Sequence, residues 1–260
     1  QFQLEPNLFC YNAGVSACER SKQWQAALSL LGEIGKVRLK PDVISYSAGI
    51  SACEKGGRWQ LALSLFREML ISKLTPNEIS CNAVISACEK GVQWQRALAV
   101  LRGMGGRSVT PSRISYSACI SACHQGRQWQ LALSLLREMG EARVAPCIVT
   151  YNAVISACEK SWQSQQALSL LSEMSSAKCE ANVVSCTIGI NSCGKGGQWQ
   201  RALLLLSEMG DVRLEPDIVS YSSGVGACEN SGQGQHVLSL LSSMHSSLWS
   251  RGSLSRSRVV

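Results

Sequence analysis

The feature that most constrains this chain is a ruler of 35 residues. Tyr11, Tyr46, Cys81, Tyr116, Tyr151, Cys186 and Tyr221 each lie 35 residues from the next. Trp24, Trp59, Trp94, Trp129 and Trp199 follow the same spacing, with Ser164 and Gly234 in the two vacant places. All six prolines, Pro6, Pro41, Pro76, Pro111, Pro146 and Pro216, share one phase, and Ala181 stands in the gap. Such a chain folds as an array of small supersecondary units, because one unit cannot bury its own apolar face and neighbours must share a core. Seven repeats follow, over residues 8–42, 43–77, 78–112, 113–147, 148–182, 183–217 and 218–252; residues 1–7 end a truncated preceding repeat, and 253–260 form a Ser/Arg-rich tail.

Within the second repeat, a helical wheel over residues 44–55 gathers Tyr46, Gly49, Ile50 and Cys53 on one face and Ile44, Ser47, Ser51 and Lys55 on the other. The break Gly56-Gly57 precedes a second helical pattern that begins near Trp59. There Trp59, Ala62, Leu63, Leu65, Phe66 and Met69 make a broad apolar stripe, with Ser64, Arg67 and Glu68 on the polar side. Pro76 forbids continuation and marks the turn into the next repeat. Each repeat is therefore an antiparallel helix pair, and the stack is all-α, an α-solenoid of seven helix-turn-helix repeats. Leu63, Cys53 and the tryptophan and cysteine ladders are expected in the core.

Composition excludes other classes. With 45% apolar and 17% charged residues, the chain is neither disordered nor collagen-like. No window approaches the roughly 18 unbroken apolar residues of a spanning helix, and no targeting segment is visible. Seven of the thirteen cysteines, Cys18, Cys53, Cys88, Cys123, Cys158, Cys193 and Cys228, recur at one phase. Stacked helices hold equivalent positions about 10 Å apart, beyond the reach of a disulfide, which points to a reducing compartment. Cys119, Cys123 and His124 cluster without a fourth ligand or a CxxC, so no metal site is expected. The three histidines, His124, His236 and His245, belong to no catalytic constellation, and no phosphate-cradling glycine loop occurs, so the chain is read as a non-enzyme. A net charge of +7 favours a polyanionic partner.

Tetratricopeptide repeats are 34 residues long with a Trp-x-x-Leu-Gly opening, which is absent here. The run Val43 to Arg58, then Ala62-Leu63, Glu68-Met69 and the closing Leu74-Thr-Pro-Asn77, resembles the pentatricopeptide repeat family in its P-type, 35-residue form. The resemblance spans almost the whole chain, although Trp at the start of the second helix is less usual for the family. It implies a right-handed solenoid that binds single-stranded RNA sequence-specifically, about one base per repeat, in organellar RNA processing, stability or translation. It places the protein in a chloroplast or mitochondrion, beside protein partners in RNA processing, and implies no cofactor.

By the same resemblance, two residues per repeat read the base edge. The pairs are Asn12 with Asp42, Ser47 with Asn77, Asn82 with Ser112, Ser117 with Cys147, Asn152 with Asn182, Thr187 with Asp217, and Ser222 with Gly252. Asn, Ser and Thr offer donors or acceptors, whereas Asp accepts only. Phe9, Ile44, Ile79, Ile114, Val149, Val184 and Val219 are the implied wedges between successive bases, and Arg20, Lys55, Lys90, Lys160 and Lys195 the implied phosphate contacts. The implied target is U-A-C-n-C-G-n, 5′ to 3′, with the fourth and seventh bases unassigned. The competing expectation is a protein-interaction scaffold on the same fold, which would carry an apolar patch without aligned cations.

Overall fold

The computed structural model describes residues 7–177, 179–242 and 244. Most of the truncated first repeat, Gly252 and the tail 253–260 lie outside the described residues. The first helices of the repeats are α1 (Leu8–Arg20), α3 (Val43–Lys55), α5 (Glu78–Lys90), α7 (Arg113–Gln125), α9 (Ile148–Lys160), α11 (Val183–Lys195) and α13 (Ile218–Asn230). The second helices are α2 (Trp24–Lys36), α4 (Trp59–Ile71), α6 (Trp94–Gly105), α8 (Trp129–Glu141), α10 (Ser164–Ser176) and α12 (Trp199–Asp211), and residues 234–242 are also helical. No strand occurs among the described residues. The chain divides into two compact bodies, residues 1–126 with 130–145, and residues 127–129 with 146–260.

Helix starts and stops follow from local chemistry. Asp42, Asn77, Asn182 and Asp217 sit in extended conformation before their helices, and each side chain accepts from the backbone N–H three residues on. That satisfies a donor the helix itself leaves orphaned. The first helices end where a residue swings into the left-handed region: Lys22, Gly57, Val92, Arg127, Trp162, Gly197 and Gly232, all with φ between 55° and 70°. Only three of these seven are glycine, so the turn is imposed by the stack at a cost to the others.

Three ladders make the core. Val15, Ile50, Ile85, Ile120, Ile155 and Ile190 have no exposed surface, nor do Ala27, Ala62, Ala97, Ala132, Ala167 and Ala202. Ile34, Met69, Met104, Met139, Met174 and Met209 fill the third, at 0–1% exposure. In three repeats a tyrosine ties the two helices: Tyr46, Tyr116 and Tyr151 donate to Glu68, Glu138 and Glu173 at 3.0, 3.1 and 3.2 Å. Within each body every first helix also packs on its neighbours' first helices, such as α3 between α1 and α5. For that reason Ser47 and Ser51, on the polar side of the wheel, are buried as well.

The cysteine ladder divides. Cys53, Cys88, Cys123, Cys158, Cys193 and Cys228 are buried, but Cys18 is only half-buried, and all thirteen cysteines are free thiols. Burial pushes Cys53, Cys88, Cys123, Cys158 and Cys193 up to about 11, so these thiols stay protonated and unreactive near neutral pH. Two core expectations need correction. Leu63 is half-buried, because Ala62, Phe66 and Met69 take the inner positions of α4. The five ladder tryptophans, Trp24, Trp59, Trp94, Trp129 and Trp199, are half-buried too, since each opens its helix at the rim of its repeat. Trp24, Trp59 and Trp94 lie against Gly56, Gly91 and Gly126 of the next repeat, so closely that a Cβ there would collide with the ring. Arg58 and Arg96 cover the Trp24 and Trp59 rings at 4.8 and 4.7 Å.

Met69→Ala should therefore cost about 2–5 kcal/mol, and Leu63→Ala clearly less. Hydrogen exchange should rise first around residues 43–77, and a uniform rise along the chain would contradict a stack stabilised by neighbours. Val92→Gly should raise the unfolding midpoint, since relief of about 1–2 kcal/mol of left-handed strain exceeds the roughly 0.5–1 kcal/mol entropic penalty of glycine.

Candidate nucleic-acid interface

In the first two repeats the residues assigned to the base, 30 apart in sequence, meet in space. Asn12 Nδ2 donates to Asp42 Oδ1 at 3.2 Å, and Ser47 Oγ lies 3.4 Å from Asn77 Oδ1. The geometry follows from the fold. In both of these repeats the first member lies one turn into a first helix, and the second is the N-cap of the next first helix, packed alongside. Asp42, Asn77, Ser112, Cys147, Asn182 and Asp217 all hold that cap position.

Between the two members stands a residue that the sequence analysis did not single out. Ser45, Ser80, Ser115, Thr150, Ser185 and Ser220 occupy the third position of their helices with no exposed surface. The hydroxyls of Ser45, Ser115 and Ser185 lie 2.6 Å from Oδ1 of Asn12, Asn82 and Asn152 in the preceding repeat and donate to it. Each hydroxyl also accepts from the backbone N–H of its own cap, as Ser45 does from Asp42 at 3.2 Å and Ser115 from Ser112 at 3.1 Å. A short polar residue three places after each cap, repeating every 35 residues, was the available signal.

This bridge fixes what the first reading residue can offer. In the Asn repeats the amide oxygen is engaged by serine, so the N–H groups are the part with capacity to spare. In the Ser/Thr repeats the proton is taken: Ser47 donates to the Val43 carbonyl at 2.6 Å and Thr187 to that of Val183 at 2.7 Å. Those hydroxyls retain lone pairs, hence acceptors. Asn12, Ser47 and Thr187 are buried, Asn82, Ser117 and Asn152 half-buried, and Ser222 exposed. Burial pushes Asp42 up, but the Ser45 backbone and hydroxyl and the Asn12 amide outweigh it and hold the carboxyl below 3.8. Asp217 is lowered by the same pair of hydrogen bonds from Ser220.

All seven wedge positions are exposed, from 55% at Val184 to 79% at Phe9. Such a series of apolar side chains in water, one per repeat beside the reading pair, is a surface suited to a stacked ligand. Three of the five cations implied as phosphate contacts are paired within the fold. Lys55, Lys90 and Lys195 bond the carboxylates of Glu19, Glu54 and Glu159 in the preceding repeat at 2.8, 2.6 and 2.7 Å. Their side chains remain 37–49% exposed, and Lys195 also lies 5.9 Å over the Trp162 ring. Arg20 is exposed, and Lys160 is half-buried.

No described helix is long and apolar enough to cross a membrane. No curated protein sequence matches the chain. Among solved structures, maize pentatricopeptide repeat protein PPR10 is similar over 94% of this chain and 35% of its own, at 23% identity and a TM-score of 0.68. PPR10 in complex with an 18-nt psaJ RNA element is similar over 94% of this chain and 41% of its own, at 19% identity and a TM-score of 0.58. The PPR domain of Arabidopsis thaliana protein-only RNase P 1, in complex with tRNA, is similar over 66% of this chain and 91% of its own, at 12% identity and a TM-score of 0.60. The chain thus spans less than half the length of the PPR10 chains it resembles.

Because Asp42 carries a depressed value in the fold, its capping contribution is complete above 3.8 and is lost as pH falls through the folded value. Asp42→Asn should keep the cap and flatten the acid limb of the stability profile, as followed by circular dichroism in acid titration. The Pentatricopeptide repeat domain family matches residues 2–58, 64–126 and 120–161, more than half the chain, and further family repeats match 146–195, 44–74 and 184–213, so this protein belongs to the pentatricopeptide repeat family.

Proposed function

We propose that the protein binds single-stranded RNA sequence-specifically, one base per repeat, and acts in the processing, stability or translation of an organellar transcript. The observation that carries this reading is the preset hydrogen-bonding sense of the first reading residues: buried serine hydroxyls engage the amide oxygens of Asn12, Asn82 and Asn152, and helix carbonyls take the protons of Ser47 and Thr187. Asn12, Asn82 and Asn152 present amide donors, matched by the carbonyl acceptors of uracil and cytosine. Ser47 and Thr187 present acceptors and are shorter, leaving room for adenine and guanine, whose edges carry N–H donors. This agrees with the target U-A-C-n-C-G-n. The fourth base stays unassigned, since Cys147 is a weak partner, and the seventh pair includes Gly252, outside the described residues.

The exposed wedges and the charge of +7 suit a stacked polyanion. RNA in the similar PPR10 and RNase P structures supports the ligand class. The role is non-enzymatic: the chain positions or protects RNA, and any cleavage or editing comes from a protein partner. Residence in a chloroplast or mitochondrion belongs to the same proposal.

A mismatched base leaves a buried polar group unpaired, typically about 1–3 kcal/mol. Thr187→Asn, with Asp217 kept, recreates the pair of the first repeat and should move the sixth selected base from guanine to uracil in a random RNA pool. Selection of the same base by parent and variant would overturn the assignment. Lys55→Ala should weaken all sequences alike and reduce the slope of log affinity against log salt by about 0.7. Since that change also exposes the Glu19 carboxylate to phosphate, adding Glu19→Gln should recover part of the affinity. No recovery would place Lys55 away from the RNA path.

A further inference from the structure

We infer that the sixth repeat holds a binding site for a small para-substituted phenol. The second, fourth and fifth repeats show what such a site takes. There Tyr46, Tyr116 and Tyr151 lie between the two helices, and each phenol donates to a glutamate, Glu68, Glu138 or Glu173, at 3.0–3.2 Å. Ser72 also faces the Tyr46 hydroxyl. The 35-residue register places Cys186, Glu208 and Val212 at the positions of Tyr46, Glu68 and Ser72. The carboxylate is kept, and the ring that would bond it is replaced by a thiol.

The missing ring leaves a space. An open cleft of about 550 Å³ lies there, lined by Cys186, Leu205, Met209, Val212 and Leu214, by Leu171 of the preceding repeat, and by the polar Ser172, Ser175, Glu180 and Glu208. The third repeat makes the same substitution but closes the gap. There Cys81 replaces tyrosine and Gly103 replaces glutamate, while Arg107, in the register of Ser72, donates to the Gly103 carbonyl at 3.0 Å and lies 5.9 Å over the Phe66 ring. Val212 is too short for that and is 65% exposed. The sixth repeat thus combines apolar side chains with a retained carboxylate acceptor. A cleft of this size accommodates a ring, and the carboxylate favours one bearing a hydroxyl donor.

The test uses the whole chain with p-cresol and toluene, read by hydrogen exchange and ligand-observed NMR. The expected result is p-cresol protection confined to residues 168–214, with affinity about tenfold above toluene, the ratio for a net hydrogen bond of about 1.4 kcal/mol. Glu208→Ala should bring the two ligands level. Cys186→Tyr should fill the site from within, lower p-cresol affinity at least tenfold and raise the unfolding midpoint. Equal affinity for both ligands, protection spread over the other repeats, or undiminished p-cresol binding by folded Cys186→Tyr would each overturn the proposal. RNA selection is independent of this site, so failure here leaves the RNA reading untouched, and the reverse holds.

Discussion

A hydroxyl with no access to water, three residues into each first helix from α3 onward, links the fold to the proposed base-reading positions. Ser45, Ser115 and Ser185 complete the cap of their own helix and orient an asparagine of the preceding repeat. Burial makes the arrangement strict, because a hydroxyl in the interior must find its partners locally or lose about 1–3 kcal/mol. The same contact therefore stabilises the junction between repeats and sets which hydrogen-bonding groups the reading pair has to spare. Preorganisation of this kind lowers the ordering cost of binding, since the reading side chains are already fixed.

The packing around this bridge is built from small pieces. Alanine at the close approach of the two helices, isoleucine in the first and methionine in the second recur without exposed surface, so one repeat's core merges with the next. Where the pattern departs from itself, the departure is local. Cys81 with Arg107 is one resolution of a lost tyrosine, and Cys186 beside an open cleft is another. A stack tolerates both because each repeat answers only to its neighbours.

Much of this was legible in the sequence. The ruler of 35 fixed the helix pairs nearly to the residue, since helix starts depend on local capping and on Pro, Gly and polar spacing. The positions that the family resemblance assigns to base reading and wedging fall on the same ruler, and all seven wedge positions are exposed. Contacts between repeats were less legible. A wheel assigns Lys55 to the face of Ser47 but is blind to Glu19, which sits 36 residues away and claims the lysine. It places Leu63 in an apolar stripe without saying which members a neighbouring helix covers. The tryptophans were read as core for the same reason, although their partners are glycine turns and arginines at the rim. The buried serine ladder repeats as regularly as the tyrosines and was hidden only by its ordinary composition.

The lysine of one repeat answering the glutamate of the one before has a consequence for exchanging repeats. Three junctions carry this matched pair, and the register at the others holds different residues. Behind Glu89, the register holds Gln125 where a lysine would stand, and burial pushes Glu89 above its ordinary range even with Lys90 beside it. A block moved from one place in the array to another would therefore carry a lysine to a glycine or leave a carboxylate facing an amide, although its base-reading pair travelled intact. The transplantable unit is not the 35-residue helix pair but that pair together with the carboxylate at the end of the preceding first helix.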